Sequence, residues 1–240
     1  SFVSKNEDLI LANATAPLQS AAAATTDIPI LGTSVTDYAT ALDISDWSGT
    51  TGRNISGTSD LAPLSEQAAM LNELFPDAKN VGLLYCSAEA NSQYQIDVIK
   101  EELEKLNYTC TAYSFVDSND IASVVQSAVN DNDVLYVPTD NTAASNTEVI
   151  NNIAGEAGVP IIAGEAGICK GCGVATLSIS YYDLGYQTGK MAYEILVNGA
   201  DPSTMEVEFA PAVTKQYNPD ICEKLGITVP DDYKALDMSE

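Results

Sequence analysis

Histidine is absent from all 240 residues. That omission removes Ser-His-Asp and Cys-His nucleophilic catalysis and every histidine-ligated metal centre. Cysteine is the next reactive type, at Cys86, Cys110, Cys169, Cys172 and Cys222. An odd count cannot pair completely within one chain, and disulfide frameworks belong mostly to smaller domains. Cys169 and Cys172 form a lone C-x-x-C in Ile-Cys-Lys-Gly-Cys-Gly. Zinc would need two further ligands that no second cysteine pair or histidine supplies, and a redox role would want a thioredoxin-like setting. The pair is expected to be thiols on a helix turn or an incidental disulfide, and neither metal nor cofactor is expected. Three loop acids remain, Glu89, Asp140 and Glu165. Scattered carboxylates are no tuned acid–base pair, so an α/β enzyme acting on a small amide or sugar is a minor alternative to a binding protein without catalysis.

The segments after the apolar runs carry the richer signal. They read Asn13-Ala-Thr-Ala-Pro17, Gly32-Thr-Ser-Val-Thr-Asp37, Cys86-Ser-Ala-Glu-Ala-Asn-Ser92, Pro138-Thr-Asp-Asn-Thr142 and Gly164-Glu-Ala166. These are hydroxyls, amides and single carboxylates with no cation to clamp a phosphate. Neither G-x-G-x-x-G nor G-x-x-x-x-G-K-[ST] occurs, so nucleotide binding has no support. Such loops suit a zwitterionic or polyhydroxylated ligand.

The frame for these loops is legible from periodicity. Val81–Tyr85 is a short apolar run suited to a strand buried on both faces. Ile96, Ile99, Leu103 and Leu106 then recur at helical spacing among Lys100, Glu101, Glu102 and Lys105. Thr109–Phe115, Val134–Val137, Pro160–Ala163 and Val174–Ile179 read as further strands. Between them, Asp120 is expected to cap a helix carrying Ile121, Val124, Val125 and Ala128, and Gly158 to end one carrying Val149, Ile150 and Ile153. Earlier come a strand at Leu9–Ala12, an alanine-rich helix at Ala16–Ala24, a strand at Ile28–Leu31 and a helix marked by Leu64, Ala68, Leu71 and Phe75. Later come a helix at Tyr182–Val197, a strand at Val207–Phe209 and a tail over Leu225–Lys234. Repeated β-α units imply parallel sheets covered by helices.

The fold class is therefore α/β with two Rossmann-like lobes. The polar break Pro76–Asn80 marks the expected boundary: residues 1–79 with 182–204 form the first lobe, and 80–181 with 205–240 the second. The ligand is expected at the carboxyl ends of the strands, between the lobes. Ten Lys and Arg against 34 Asp and Glu give a net charge of −24. That field repels phosphate backbones and anionic headgroups, which argues against nucleic acid and direct membrane association. No apolar run approaches the roughly 20 residues that span a bilayer.

Three stretches carry a family resemblance. Tyr85-Cys-Ser-Ala-Glu-Ala-Asn-Ser92, Pro138-Thr-Asp-Asn-Thr142 and Tyr181-Tyr-Asp-Leu-Gly-Tyr-Gln-Thr-Gly189 lie in the family's order, joined by Thr33-Ser-Val-Thr-Asp37. The chain resembles, over nearly its whole length, the substrate-binding proteins of ABC importers for aromatic amino acids. These are the tryptophan/tyrosine-binding group of the type I periplasmic-binding-protein fold. The resemblance implies an extracytoplasmic protein, periplasmic or a cell-surface lipoprotein, that presents tryptophan, tyrosine or phenylalanine to an ABC permease. By the same resemblance Asp140 receives the ligand's ammonium and Asn91 and Ser92 its carboxylate, while Thr15 and Thr36 approach from the first lobe. Glu89 and Asn141 lie in the same loops, and Glu165 stands where the family usually has a shorter acid. Asp140 and Asn141 also fit as caps of a helix beginning near Thr142. Tyr181 and Tyr182 are expected to pack rather than stack on ligand. The family begins with a β-α-β-α stretch ahead of the strand placed at Leu9, so the first lobe is expected to be incomplete, with Leu9–Ala12 as an open edge. A homodimer through residues 8–13 or the adjoining sheet face is the expected remedy, the alternative being that the missing stretch exists in the full protein and restores a monomer. A sensory domain of the same fold is the alternative function, although no basic DNA-binding segment accompanies it.

Overall fold

Alternating apolar and amphipathic stretches fold as β-α repeats in the computed structural model of the chain, which describes residues 2–239. In chain order the elements begin with β1 Ile10–Asn13, α1 Thr15–Ala24, β2 Ile30–Val35, α2 Tyr38–Leu42, β3 Ile55–Ser59, α3 Leu64–Leu74, β4 Asn80–Cys86 and α4 Ala90–Lys105. Then follow β5 Thr109–Phe115, α5 Ile121–Asp131, β6 Val134–Val137, α6 Asn141–Ala144, α7 Thr147–Ala157, β7 Ile161–Ala163, α8 Ala166–Cys172 and β8 Ala175–Ile179. The last are α9 Tyr181–Leu196, β9 Glu208–Phe209, β10 Val213–Tyr217, α10 Pro219–Leu225 and β11 Lys234–Ala235. No helix among the described residues is long and apolar enough to cross a membrane.

The chain divides into two compact units. One takes the residues up to Leu61 with Ser180–Ala212, the other Ala62–Ile179 with the chain from Val213 onward. The first division therefore falls at Leu61/Ala62 and not in the Pro76–Asn80 turn, and the last at Ala212/Val213 and not at 204/205. The reason lies in α3. Its buried Gln67 donates to the carbonyls of Gly164 and Leu177 at 3.1 and 3.4 Å and accepts the Tyr136 hydroxyl at 2.5 Å. Its Asn72 accepts the Tyr108 hydroxyl at 3.0 Å. These bonds fasten α3 to the second unit, and the polar break is an ordinary helix-to-strand turn within it.

In the first unit the strands run in the order β1-β2-β3-β9, all parallel, with β1 at one end. Alternation along β2 sends Ile30 into a cluster with Leu18 of α1 and Tyr38 of α2, and Leu31 against Met191 and Ile195 of α9. β3 is buried at every position despite its sequence Ile-Ser-Gly-Thr-Ser. Its hydroxyls are satisfied internally: Ser56 donates to the Met205 carbonyl, Thr58 shares bonds with Thr33 and Thr188, and Ser59 donates to the Thr36 carbonyl. Gly57 has φ +147°, and a Cβ there would lie 2.1 Å from the Gly32 carbonyl oxygen and 2.3 Å from the Tyr38 hydroxyl. Two glycines thus let two strands close around one phenol.

The second unit holds a seven-stranded sheet in the order β11-β10-β8-β7-β6-β4-β5. β10 is antiparallel to β8, and the other pairings are parallel. Leu83, Leu84, Val134, Leu135, Tyr136 and Val137 are fully buried, as strands covered on both faces require. Gly158 ends α7 in the left-handed conformation at φ 71°, as its position predicts. Asp120 departs from expectation. Its backbone is already helical at φ −90°, ψ −16°, and its side chain makes no capping bond, because a capping side chain needs an extended backbone to reach the first-turn N–H groups. All five cysteines are free thiols, so Cys169 and Cys172 are helix thiols of α8 and not a disulfide. The α/β class with parallel-dominated sheets stands as expected.

Candidate functional site

β4 and β6 are parallel neighbours, with Val81 opposite Val134 and Leu83 opposite Tyr136. Their carboxyl ends therefore release the 86–92 and 138–142 segments side by side. Asp140 joins the two. Its extended backbone caps α6, with Oδ1 accepting the Ala143 N–H at 2.8 Å, while Oδ2 accepts the Cys86 N–H at 2.7 Å. The Ser92 hydroxyl bonds to the same carboxylate. Asp140 is 1% exposed. Burial raises its pKa above the usual aspartate range, with the nearby Glu89 charge adding to the rise and the N–H donors opposing it.

Glu89 makes a second tie. Its Oε1 accepts the Thr142 N–H at 2.9 Å and the Thr142 hydroxyl at 2.7 Å, and its Oε2 accepts the Asn141 N–H at 3.1 Å and the Asn141 amide at 2.7 Å. Burial works to raise its pKa, but the bonds from Thr142 and Asn141 outweigh it and hold the carboxyl below the ordinary glutamate value. The Asn91 amide reaches Glu89 Oε2, Ser92 Oγ and the Thr139 carbonyl, each at 3.3 Å. Gln95 completes the lock on Thr139: its Nε2 donates to the Thr139 carbonyl at 2.9 Å, and its Oε1 accepts the Thr139 N–H at 3.0 Å.

Of the residues singled out in the sequence, Asp140, Asn91, Ser92, Glu89 and Asn141 thus share one hydrogen-bonded network. Glu165 follows β7 and spends its carboxylate on its own helix, capping α8 through the Gly167 and Ile168 N–H groups. Its burial raises its pKa. Thr15 and Thr36 belong to the first unit, 6% and 3% exposed, and the Thr36 carbonyl accepts the Ser59 hydroxyl at 2.8 Å. Among the described residues no group of cysteine and carboxylate side chains could hold a metal ion.

Sequence reasoning passed over Gln95, Thr139 and Thr142. The available signal was Gln95 itself, an amide one turn after Asn91 and Ser92 on the face that continues through Ile99 and Leu103. It also passed over the first unit's Asp60 and its bond to Tyr181. Asp60 directly follows β3 and is 5% exposed, and its Oδ2 accepts the Tyr181 hydroxyl at 3.2 Å. Chemically the network is a rigid set of amides and hydroxyls positioned by internal carboxylates.

A family model described as "ABC transporter substrate binding protein" matches residues 1–238. The chain belongs to this substrate-binding family. A tyrosine-binding protein of Clostridioides difficile (strain R20291) is 37% identical over 195 residues, which are 81% of this chain and 56% of that protein. The chain thus spans little more than half the length of that curated relative. Among solved structures, an ABC domain from Streptococcus pneumonia in complex with L-Trp is 31% identical, with a TM-score of 0.91 over 98% of this chain and 82% of its own. The ligand-free, open structure of CD0873, a substrate-binding protein with adhesive properties from Clostridium difficile, is 36% identical. Its TM-score is 0.74 over 99% of this chain and 81% of its own. The fold of this substrate-binding family member is that of the type I periplasmic binding proteins, in agreement with the sequence reading.

Proposed function

We propose that the chain is the extracytoplasmic ligand-binding component of an ABC importer, taking an aromatic amino acid and handing it to a membrane permease. The observation that carries this reading is the pair of relatives above 30% identity, one a tyrosine-binding protein and one complexed with L-Trp. The site chemistry supports it. Asn91, Ser92 and Asn141 are amide and hydroxyl groups of the kind that bind an α-carboxylate, and their bonds to Glu89 and Asp140 fix the two loops that carry them. Apolar walls around such a polar end are the usual design of a small-molecule site.

A thermal-shift screen of the twenty amino acids, followed by calorimetry, tests the proposal. A ligand at 100 times its dissociation constant should add about 2.7 kcal/mol of stability. Stabilisation by tryptophan, tyrosine or phenylalanine alone is the expected pattern, and a screen in which no aromatic amino acid acts refutes it. The partner reading has its own test at the β1 end of the first sheet, where Leu11 is 59% exposed. If a second copy pairs there, light scattering will give twice the chain mass, and Leu11→Lys will return it to one chain.

A further inference from the structure

Arg53 is the chain's only arginine. Acids outnumber cations 34 to 10, yet among the described residues every ion pair is made by a lysine and none by Arg53. Arg53 instead lines a cavity of about 380 Å³ within the first unit, together with Ala22, Thr26, Asn54 and Ile55. That volume falls in the range of small-molecule sites. The cavity lies at the amino ends of β2 and β3, whereas the first unit's hydroxyl-rich loop Thr33–Asp37 lies at the carboxyl end of β2. It is therefore separate from any ligand held on that loop.

The cavity's walls are fixed from within. The Thr51 hydroxyl donates to the Ile55 carbonyl at 2.5 Å and accepts the Arg53 N–H at 3.2 Å, which pins the backbone on either side of Asn54. Asn54 donates its amide hydrogens to the carbonyls of Ile28 and Thr25 at 2.6 and 3.4 Å, and the Thr26 hydroxyl donates to Asp27 at 3.3 Å. Those donors are spent on the protein. The Arg53 guanidinium is left as the cavity's donor, and its planar fork can give a carboxylate two parallel N–H bonds. Ala22 and Ile55 add apolar surface beside it. One cation balances one negative charge. A phosphate dianion would meet that same lone cation against the field of the whole chain and near the Asp27 carboxylate, which disfavours it.

We propose that this cavity is a small-molecule site in its own right, taking a monocarboxylate with a short hydrocarbon body, the carboxylate on Arg53 and the hydrocarbon against Ala22 and Ile55. The site does not depend on the aromatic amino acid proposed above.

The probe is hexanoate, with hexanol and hexylammonium as its neutral and cationic counterparts, titrated into the nitrogen-15-labelled full chain and followed by amide NMR shifts. Hexanoate should shift the amides of Ala22, Thr26, Asn54 and Ile55 saturably, and the two counterparts should not. Arg53→Gln, at an exposed side chain, should weaken hexanoate roughly 10- to 100-fold, with Arg53→Lys in between because it keeps the charge and loses the paired bonds. An excess of L-tryptophan should leave the hexanoate shifts in place. Shifts that are absent or fail to saturate, that Arg53→Gln leaves unchanged, that hexanol or hexylammonium reproduces, or that tryptophan abolishes overturn the proposal.

Discussion

Replacing Asp140 by alanine takes the acceptor from two backbone N–H groups at once. The Ala143 N–H loses its helix cap, a change that costs about 1 kcal/mol in comparable settings. The Cys86 N–H is buried and would be left with an orphaned donor, at about 1–3 kcal/mol. Against this, the variant no longer buries a carboxylate whose pKa is raised by desolvation, so part of the loss is returned. The expected net destabilisation is about 1–3 kcal/mol, a sizeable share of the 5–15 kcal/mol typical of a folded domain. Urea unfolding of the ligand-free protein, followed by far-UV circular dichroism, measures it as a lower midpoint at unchanged slope. Asp140→Asn keeps a capping oxygen but turns an amide N–H₂ toward the Cys86 N–H, so it should fall between wild type and alanine. A loss below about 1 kcal/mol for Asp140→Ala would show that the carboxylate is not holding the two loops.

Three further outcomes follow from the same geometry. Glu89 is held below its ordinary value of 4.5, so its contribution to stability is complete above that value and is lost as the pH falls through the lower folded value. Glu89→Gln should be less stable than wild type at neutral pH, with the gap closing toward pH 3 in parallel denaturation series. Gly57→Ala sets a Cβ against the Gly32 carbonyl at a φ of +147° and should destabilise the first unit by more than about 3 kcal/mol; a fluorescence melt of Trp47, the chain's sole tryptophan, reads it there. Burial pushes the Cys172 thiol up to about 12 and Cys110 to about 11, and Cys169 higher than its usual value. Native protein at pH 8 should therefore resist iodoacetamide, and urea-unfolded protein should take up five labels by mass spectrometry.

The parts of the fold that could be read from sequence are those where burial and residue type agree. β4, β6 and β7 are aliphatic because both faces are covered, and Thr109–Phe115 and Val134–Val137 emerge with the bounds their composition indicates. β3 escaped because its buried positions are serine and threonine, whose partners come from distant segments such as Met205 and Thr188. β10 escaped because Val-Thr-Lys-Gln-Tyr is half-buried throughout, with no polar-apolar alternation to betray a strand. At the site, the loops that cluster were legible as loops after strands. How their acids are used was not, because that depends on β4 lying beside β6, a fact of strand order that no local window contains. The capping alternative for Asp140, available from its position before a helix, is the geometry its side chain adopts.

Both sheets are sealed on one side by strands from near the end of the chain: β9 pairs with β3, and β10 with β8. A nascent chain leaving the ribosome N-terminus first therefore carries two unpaired strand edges until these partner strands emerge. β3 must wait for Glu208 and β8 for Val213. Those waiting edges are buried hydroxyl-rich and aliphatic strands, the kind that recruit foreign strands when left open. Premature termination shortly before residue 208 would thus release a product whose defect is stickiness more than missing mass.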